Sequence, residues 1–112
     1  MKYNKLVRDK IPEIIAGTGA NVTFRILDDE EYKIELERKL EEEVEEFRES
    51  KTIEELVDIL EVVTALIHAY GFNQREVMRK KEDKGAERGG FFKGMYLVEV
   101  ENDKRRNQKG NA

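Results

Sequence analysis

The stretch KLEEEVEEFRESKTIEELVDILEVV, residues 39–63, decides the fold of this 112-residue chain. Apolar side chains recur in it every three or four residues, a spacing typical of amphipathic α-helices. The SKT sequence at residues 50–52 interrupts the pattern, so we expect two helices joined by a short connection. Such a connection favours antiparallel packing. The stretch therefore predicts a helical hairpin.

Glutamates crowd the first of these two helices. Five of the six residues 41–46 are glutamate, although like charges three and four residues apart repel each other. Residues 28–61 carry sixteen acidic and five basic side chains, whereas the segments on either side are net basic. An acidic middle between basic ends would repel nucleic acid from one face, so we expect no nucleic-acid partner. The crowded acids either face solvent or surround a cation.

Two helices are expected before residue 51. In DKIPEIIAG, Pro12 near the first turn and Gly17 at the end delimit a short helix. Asp28 or Asp29 caps the longer helix, which runs to about Ser50. Its apolar stripe comprises Leu36, Leu40, Val44 and Phe47.

The second half of the chain predicts two more helices. One begins after Thr52 and runs to about Tyr70, and another begins after Asn73 and ends before RGGFF. Residues 22–27 and 96–101 have the β-branched character of short strands. The expected fold is therefore a mainly all-α helical bundle with two short strands. The apolar stripe after Thr52 comprises Leu56, Ile59, Leu60, Val63, Leu66 and Ile67.

The overall sequence bounds the class of protein. We expect residues 1–101 to form one helical domain and residues 102–112 to form a disordered polar tail. The chain has no cysteine, which excludes disulfides and thiolate metal sites. No apolar run approaches the roughly 18 residues that a membrane span needs. We expect a cytoplasmic protein without a membrane partner.

Helical geometry places several acids beside the apolar stripes. At about 100° per residue, Glu43 lies next to the stripe of its helix, with Glu46 and then Glu42 further round. On the following helix Glu55 falls within the stripe and Asp58 about 60° from it. Antiparallel packing through the stripes would bring Glu43, Glu46, Glu55 and Asp58 together, and a divalent cation that prefers oxygen ligands would neutralise them.

Structural alternatives remain open for these residues. Acids on helix surfaces are usually solvated. TIEE at residues 52–55 also allows Glu55 to form a capping box with Thr52. His68 has no partner at metal-ligand spacing and is expected to be an ordinary surface or packed histidine.

Four motifs of the chain resemble a known enzyme superfamily. EEVEE at residues 42–46 and ELVD at residues 55–58 resemble the E-E-x-x-E and E-x-x-D signatures of the all-α nucleoside triphosphate pyrophosphohydrolases, the superfamily of MazG and phosphoribosyl-ATP pyrophosphohydrolase. YNKLVRDKIPEII at residues 3–15 and ERGGF at residues 87–91 are similar to its branch of predicted house-cleaning pyrophosphatases for noncanonical nucleotides. The resemblance covers about residues 3–101.

The resemblance implies a reaction and a cofactor. Hydrolysis between the α- and β-phosphates of a nucleoside triphosphate would yield a monophosphate and pyrophosphate, with Mg²⁺ as the cofactor and Mn²⁺ as a substitute. Glu42 is the candidate that orients or deprotonates the attacking water. The implied metal ligands are Glu43, Glu46, Glu55 and Asp58. One departure is the spacer between the acidic motifs, which has only eight residues and is shorter than usual in the superfamily.

Basic residues near the other two motifs are the expected phosphate ligands. An arginine followed by a glycine pair would combine a guanidinium group with backbone N–H donors. The nucleotide base that is preferred does not follow from the sequence. The candidates are Lys5, Arg8, Lys81, Lys84 and Arg88.

The helices also allow an expectation about self-association, and two alternative functions remain open. Two long amphipathic helices leave more apolar surface than one short chain covers, so we expect a homodimer or a higher homo-oligomer. A noncatalytic acidic helical adaptor and a phosphoribosyl-ATP pyrophosphohydrolase are the alternatives. A dinuclear iron site is excluded because the Glu-x-x-His pairs that such bundles use are absent.

Overall fold

A computed structural model describes residues 2–102, and these residues form four α-helices. The prediction of an all-α fold is confirmed. None of these helices combines the length and apolar character needed to cross a membrane. The helices are α1 (Ile11–Ala16), α2 (Asp29–Ser50), α3 (Ile53–Ala69) and α4 (Gln74–Arg88).

Local capping interactions set the ends of α2 and α3. The side chain of Asp28 accepts a hydrogen bond of 2.9 Å from the backbone N–H of Glu31, so Asp28 rather than Asp29 is the N-cap of α2. Lys51 has a φ of 52° and turns the chain sharply after α2. Only Lys51 and Thr52 separate the two helices, which therefore pack as an antiparallel hairpin.

Gly71 ends α3, and Asn73 and Gly89 lie at the two ends of α4. Gly71 has a φ of 74°, and the next residue, Phe72, donates a backbone hydrogen bond to Ile67 that closes α3. Asn73 accepts a hydrogen bond from the backbone N–H of Glu76 and caps α4, as its sequence predicts. Gly89 has a φ of 83° and follows the last residue of the helix.

The apolar stripe predicted for α3 does not lie entirely against α2. Val62 is buried, whereas Leu60 lies on the opposite side of the helix and is 66% exposed. The prediction was wrong here because α3 is apolar on more than one side, so periodicity alone does not select the packed side. We call the exposed side the outer face of α3; it comprises Ile53, Leu56, Val57, Leu60 and Val63.

The two predicted strands are absent from residues 2–102. Residues 22–27 and 96–101 have no regular secondary structure. A β-strand needs a neighbouring strand with which to exchange backbone hydrogen bonds, and neither segment has one among the described residues. The tail predicted for residues 102–112 lies outside the described residues except for Asn102.

The chain divides after Lys80 into two compact units. The first contains α1, the α2–α3 hairpin and the start of α4, and the second begins within α4. In the first unit Leu36 of α2 and Val62 of α3 are the buried apolar side chains. The interface between α2 and α3 also contains a buried acid.

Candidate metal centre

Glu43 is the buried acid of the hairpin. It is only 5% exposed, and its Oε2 atom is the one buried side-chain oxygen or nitrogen among residues 2–102 that has no hydrogen-bond partner. Burial raises the pKa of Glu43, and the neighbouring carboxylate of Glu46 adds to this effect, whereas Lys39 opposes it. A buried oxygen without a partner lowers stability unless another group satisfies it.

Two groups of carboxylates meet at Glu43. Oxygens of Glu42, Glu43 and Glu46 lie within 4.8 Å of one another, and so do oxygens of Glu43, Glu55 and Asp58. The hairpin thus brings all five predicted acids together, with Glu46 grouped with Glu42 rather than with the acids of α3. We call these five residues the carboxylate cluster. Their role as metal ligands stays a prediction.

The ligand chemistry of the cluster fits a hard divalent cation. All five side chains offer carboxylate oxygens, which suit Mg²⁺ and Mn²⁺, and none offers the nitrogen or sulfur atoms that zinc and copper favour. His68 is exposed on α3 and belongs to neither group. The unsatisfied oxygen of Glu43 supplies a donor atom that no protein group uses.

Lys39 lies among these acids and was not identified from the sequence. Its Nζ atom is 3.3 Å from Oε1 of Glu43 and 3.5 Å from Oε1 of Glu42. The signal was available, because lysine three and four residues before these glutamates lies on the same side of the helix. The side chain of Lys39 is 20% exposed, so it is a fixed counter-ion of the cluster rather than a solvated lysine.

Glu42 is held by two ammonium groups. Its Oε1 atom lies 3.1 Å from Nζ of Lys5 and 3.5 Å from Nζ of Lys39. Burial acts to raise the pKa of Glu42, but the hydrogen bonds and charges of Lys5 and Lys39 outweigh it and lower the pKa. Glu42 is therefore ionised at neutral pH and can accept a hydrogen bond.

The N-terminal segment supplies two of the predicted phosphate ligands to the cluster. Besides the pair between Lys5 and Glu42, Nη2 of Arg8 donates a hydrogen bond of 2.7 Å to Oδ1 of Asp58. The hydrogen bond to Glu42 raises the pKa of Lys5, and that to Asp58 raises the pKa of Arg8. A cavity of about 190 Å³ beside the pair of Lys5 and Glu42 is lined by Asn4, Lys5, Leu6, Glu35, Arg38, Lys39 and Glu42.

Glu55 does not take the capping role that the sequence allows. Thr52 is the N-cap of α3 but makes no side-chain capping hydrogen bond. Oε1 of Glu55 instead accepts a hydrogen bond of 3.3 Å from the hydroxyl of Ser50 at the end of α2. This contact across the turn holds Glu55 on the side of the cluster.

The other predicted phosphate ligands belong to the second unit. Lys81, Lys84 and Arg88 are exposed on α4. The backbone N–H of Gly89 donates a 2.9 Å hydrogen bond to the carbonyl of Gly85. Gly89 is therefore occupied in ending the helix, and the predicted use of its N–H by a phosphate would require that bond to break.

Comparison with known proteins assigns no activity. No family model matches the chain, and no solved structure matches it. A segment of 48 residues, 43% of the chain, is 48% identical to an uncharacterized protein of Mycolicibacterium smegmatis (strain ATCC 700084 / mc(2)155). The match covers 49% of that protein, so the similarity spans about half of its length.

Proposed function

We propose that this protein is a Mg²⁺-dependent nucleoside triphosphate pyrophosphohydrolase of the house-cleaning type. It cleaves the bond between the α- and β-phosphates and releases a nucleoside monophosphate and pyrophosphate. The observation that carries the proposal is the buried Glu43, whose unpartnered Oε2 lies where two groups of carboxylates meet. The resemblance to MazG-like enzymes supports the same reaction.

The carboxylate cluster is suited to hold one or two divalent cations. Glu43 is the member common to both groups, so it is the ligand that two neighbouring ions would share. Bound Mg²⁺ would neutralise phosphate charge and lower the pKa of an attacking water. Glu46 on α2 and Glu55 and Asp58 on α3 complete the ligand set, with Mn²⁺ as a substitute.

Glu42 is the catalytic candidate beside these ligands. Because its pKa is lowered, Glu42 is a weaker base than an ordinary glutamate. We therefore assign to Glu42 the orientation of the attacking water, through a hydrogen bond that its carboxylate accepts, rather than full removal of the proton. The pair with Lys39 on the same helix fixes the carboxylate for this role.

The proposal assigns phosphate binding at the carboxylate cluster to two cations of the first unit. Lys5 and Arg8 lie beside the carboxylate cluster, where the charged oxygens of a triphosphate would be. Guanidinium groups bind phosphate through two parallel hydrogen bonds, which favours Arg8 for a specific contact. Lys81, Lys84 and Arg88 of α4 belong to the second unit, and their binding of a triphosphate is a separate prediction.

Self-association completes the proposed enzyme. Among residues 2–102 only Leu36 and Val62 are buried apolar side chains, which is a small core for a stable domain. The outer face of α3 remains exposed, and Leu60 on it is 66% accessible. A homodimer or higher homo-oligomer would bury this face against another copy.

The adaptor alternative rests on the same outer face of α3. An adaptor would use that face to bind another protein, and its acids would be solvated. The burial of Glu43 favours the enzyme, because a solvated acidic surface does not require a carboxylate inside the hairpin. A phosphoribosyl-ATP pyrophosphohydrolase would cleave the equivalent bond, so only the choice of substrate distinguishes it.

A substrate screen tests the proposal. The full chain is incubated with common and oxidatively damaged nucleoside triphosphates and with phosphoribosyl-ATP, in Mg²⁺ or in EDTA, and the products are separated by chromatography. We expect monophosphate and pyrophosphate with Mg²⁺ only, and loss of activity in Asp58→Asn but not in Glu61→Gln, which changes an exposed acid of the same helix. Nucleoside diphosphate and orthophosphate as first products would contradict the mechanism. Absence of any hydrolysis would favour the adaptor.

A further inference from the structure

The N-terminal segment inserts positive charge into the proposed metal site. Lys5 is 37 positions from Glu42 and Arg8 is 50 positions from Asp58, so neither pair results from local helix geometry. Asn4, directly before Lys5, has a positive φ of 46°, a conformation that asparagine tolerates better than most residues. The chain thus turns at Asn4, and the next side chain, that of Lys5, reaches Glu42 in the cluster.

The two cations contact two carboxyl groups of the proposed site: Asp58, a proposed metal ligand, and Glu42, which is proposed to orient the attacking water. Arg8 bonds Oδ1 of Asp58, and Lys5 bonds Oε1 of Glu42. The contacts are not buried, since the side chains of Lys5 and Arg8 are 44% and 52% exposed. Exposed ion pairs of this kind are weak and exchange readily.

Charge balance in the cluster depends on these two side chains. In formal charges, the five carboxylates against Lys5, Arg8 and Lys39 leave −2, which one divalent cation balances. Without Lys5 and Arg8 the charge is −4, which two divalent cations balance. A divalent cation near the cluster repels both basic groups, whereas the oxygens of a bound triphosphate attract them.

We propose that Lys5 and Arg8 are exchangeable counter-ions that hold Glu42 and Asp58 in the metal-free protein and move to the phosphates when metal and triphosphate bind. This inference rests on the proposed function, because it takes the carboxylate cluster to be a divalent-metal site. The unpartnered Oε2 of Glu43 is the independent observation that marks the cluster as such a site. Metal and triphosphate then bind cooperatively, since each favours the displaced position of the same two cations.

The exchange predicts that one substitution has opposite effects on metal binding and on triphosphate binding. Removing the charge of Arg8 should strengthen metal binding in the absence of nucleotide, because a competitor for Asp58 is lost. The same change should weaken binding of a triphosphate, because a phosphate ligand is lost. A purely structural role for Arg8 would weaken both, and a simple phosphate ligand would leave metal binding unchanged.

Isothermal titration calorimetry of the full chain measures both the Mg²⁺ affinity and the triphosphate affinity. Mg²⁺ is titrated into wild type, Arg8→Gln, Arg8→Lys and the matched control Arg25→Gln. Arg25 also makes an ion pair, at 2.8 Å from Glu31, but neither residue belongs to the cluster. A non-hydrolysable nucleoside triphosphate analogue is then titrated into each protein at saturating Mg²⁺. Circular dichroism verifies that every variant is folded.

We expect Arg8→Gln to bind Mg²⁺ about fivefold to tenfold more tightly than wild type and Arg25→Gln, and the analogue more weakly. Arg8→Lys, which keeps the charge, should bind Mg²⁺ as wild type does. Equal or weaker Mg²⁺ binding by Arg8→Gln would overturn the exchange while leaving the metal site intact. Absence of Mg²⁺ binding in all four proteins would overturn both the exchange and the proposed function.

Discussion

Nη2 of Arg8 lies 2.7 Å from Oδ1 of Asp58 and so joins the N-terminal segment to helix α3. Asp58 lies in one carboxylate group with the buried Glu43, so the pair connects an exposed arginine with the interior of the hairpin. The arrangement places a guanidinium group, which can bind phosphate, directly beside a group of carboxylates, which could hold a metal ion. The stability and the chemistry of this protein are therefore expected to depend on the same few charges.

Glu43→Gln should stabilise the metal-free protein. The substitution removes a buried charge, and the new amide group can donate to the acids around it. We expect a gain of about 1–2 kcal/mol in the free energy of unfolding, the usual cost of an unsatisfied buried polar group. Urea unfolding in EDTA measures it. Glu49→Gln, on the exposed part of α2, is the control and should change stability by less than about 0.5 kcal/mol. A clear loss of stability in Glu43→Gln would contradict the account.

Because of Glu43, the stability of the metal-free protein should decrease as pH rises. Its pKa is raised in the folded state, so between the ordinary glutamate pKa and this raised value the folded protein binds more protons than the unfolded chain. The free energy of unfolding then decreases as pH rises through that window.

Glu42 has the opposite effect on the pH dependence of stability, and its effect lies at lower pH. Its pKa is lowered, so its stabilising contribution is complete above the ordinary glutamate pKa and is lost as pH falls through the lowered value. Urea unfolding in EDTA over a pH series separates the two effects. The decrease above the ordinary glutamate pKa should be smaller in Glu43→Gln, and an identical pH profile for both proteins would exclude Glu43 as its source.

Arg88→Ala should weaken triphosphate binding more than Arg88→Lys does. A guanidinium group makes two parallel hydrogen bonds to a phosphate, which an ammonium group does not reproduce. We expect about a tenfold increase in the Kd of a non-hydrolysable triphosphate for the alanine variant, measured by calorimetry. Arg79→Ala, on the same helix, is the control. Equal affinity in wild type and Arg88→Ala would remove Arg88 from the binding site.

Leu60→Glu should reduce the mass of the protein in solution. A charge at the centre of the outer face of α3 opposes the burial of that face against another copy. Light scattering after size-exclusion chromatography should give at least twice the chain mass for wild type and a smaller mass for the variant. Glu61→Lys, the adjacent position outside that face, should associate as wild type does. A monomeric wild type would contradict the proposed association.

Local interactions made the hairpin predictable from the sequence. The helix boundaries follow from capping residues such as Asp28 and Asn73, whose effects reach only three or four positions. The inward position of Glu43 follows from helical periodicity alone. Lys39 was also within reach, because its pairs with the acids of the cluster are local contacts on one helix.

Contacts between distant positions account for what the sequence did not predict. The pairing of Arg8 with Asp58 spans fifty positions, and no periodic pattern specifies which acid an exposed arginine meets. The side of α3 that faces α2 was missed because both sides are apolar and the packing of two helices selects one. Residues 22–27 have strand composition but no neighbouring strand, and composition does not supply one.

Binding of Mn²⁺ to the carboxylate cluster tests the central claim most directly. Electron paramagnetic resonance measures free Mn²⁺ during titration into wild type, Glu43→Gln and the control Glu49→Gln. The account predicts saturable binding by wild type and Glu49→Gln, with an affinity at least about tenfold lower in Glu43→Gln, because both carboxylate groups share Glu43. Equal Mn²⁺ affinity in wild type and Glu43→Gln, or no binding by wild type, would contradict it.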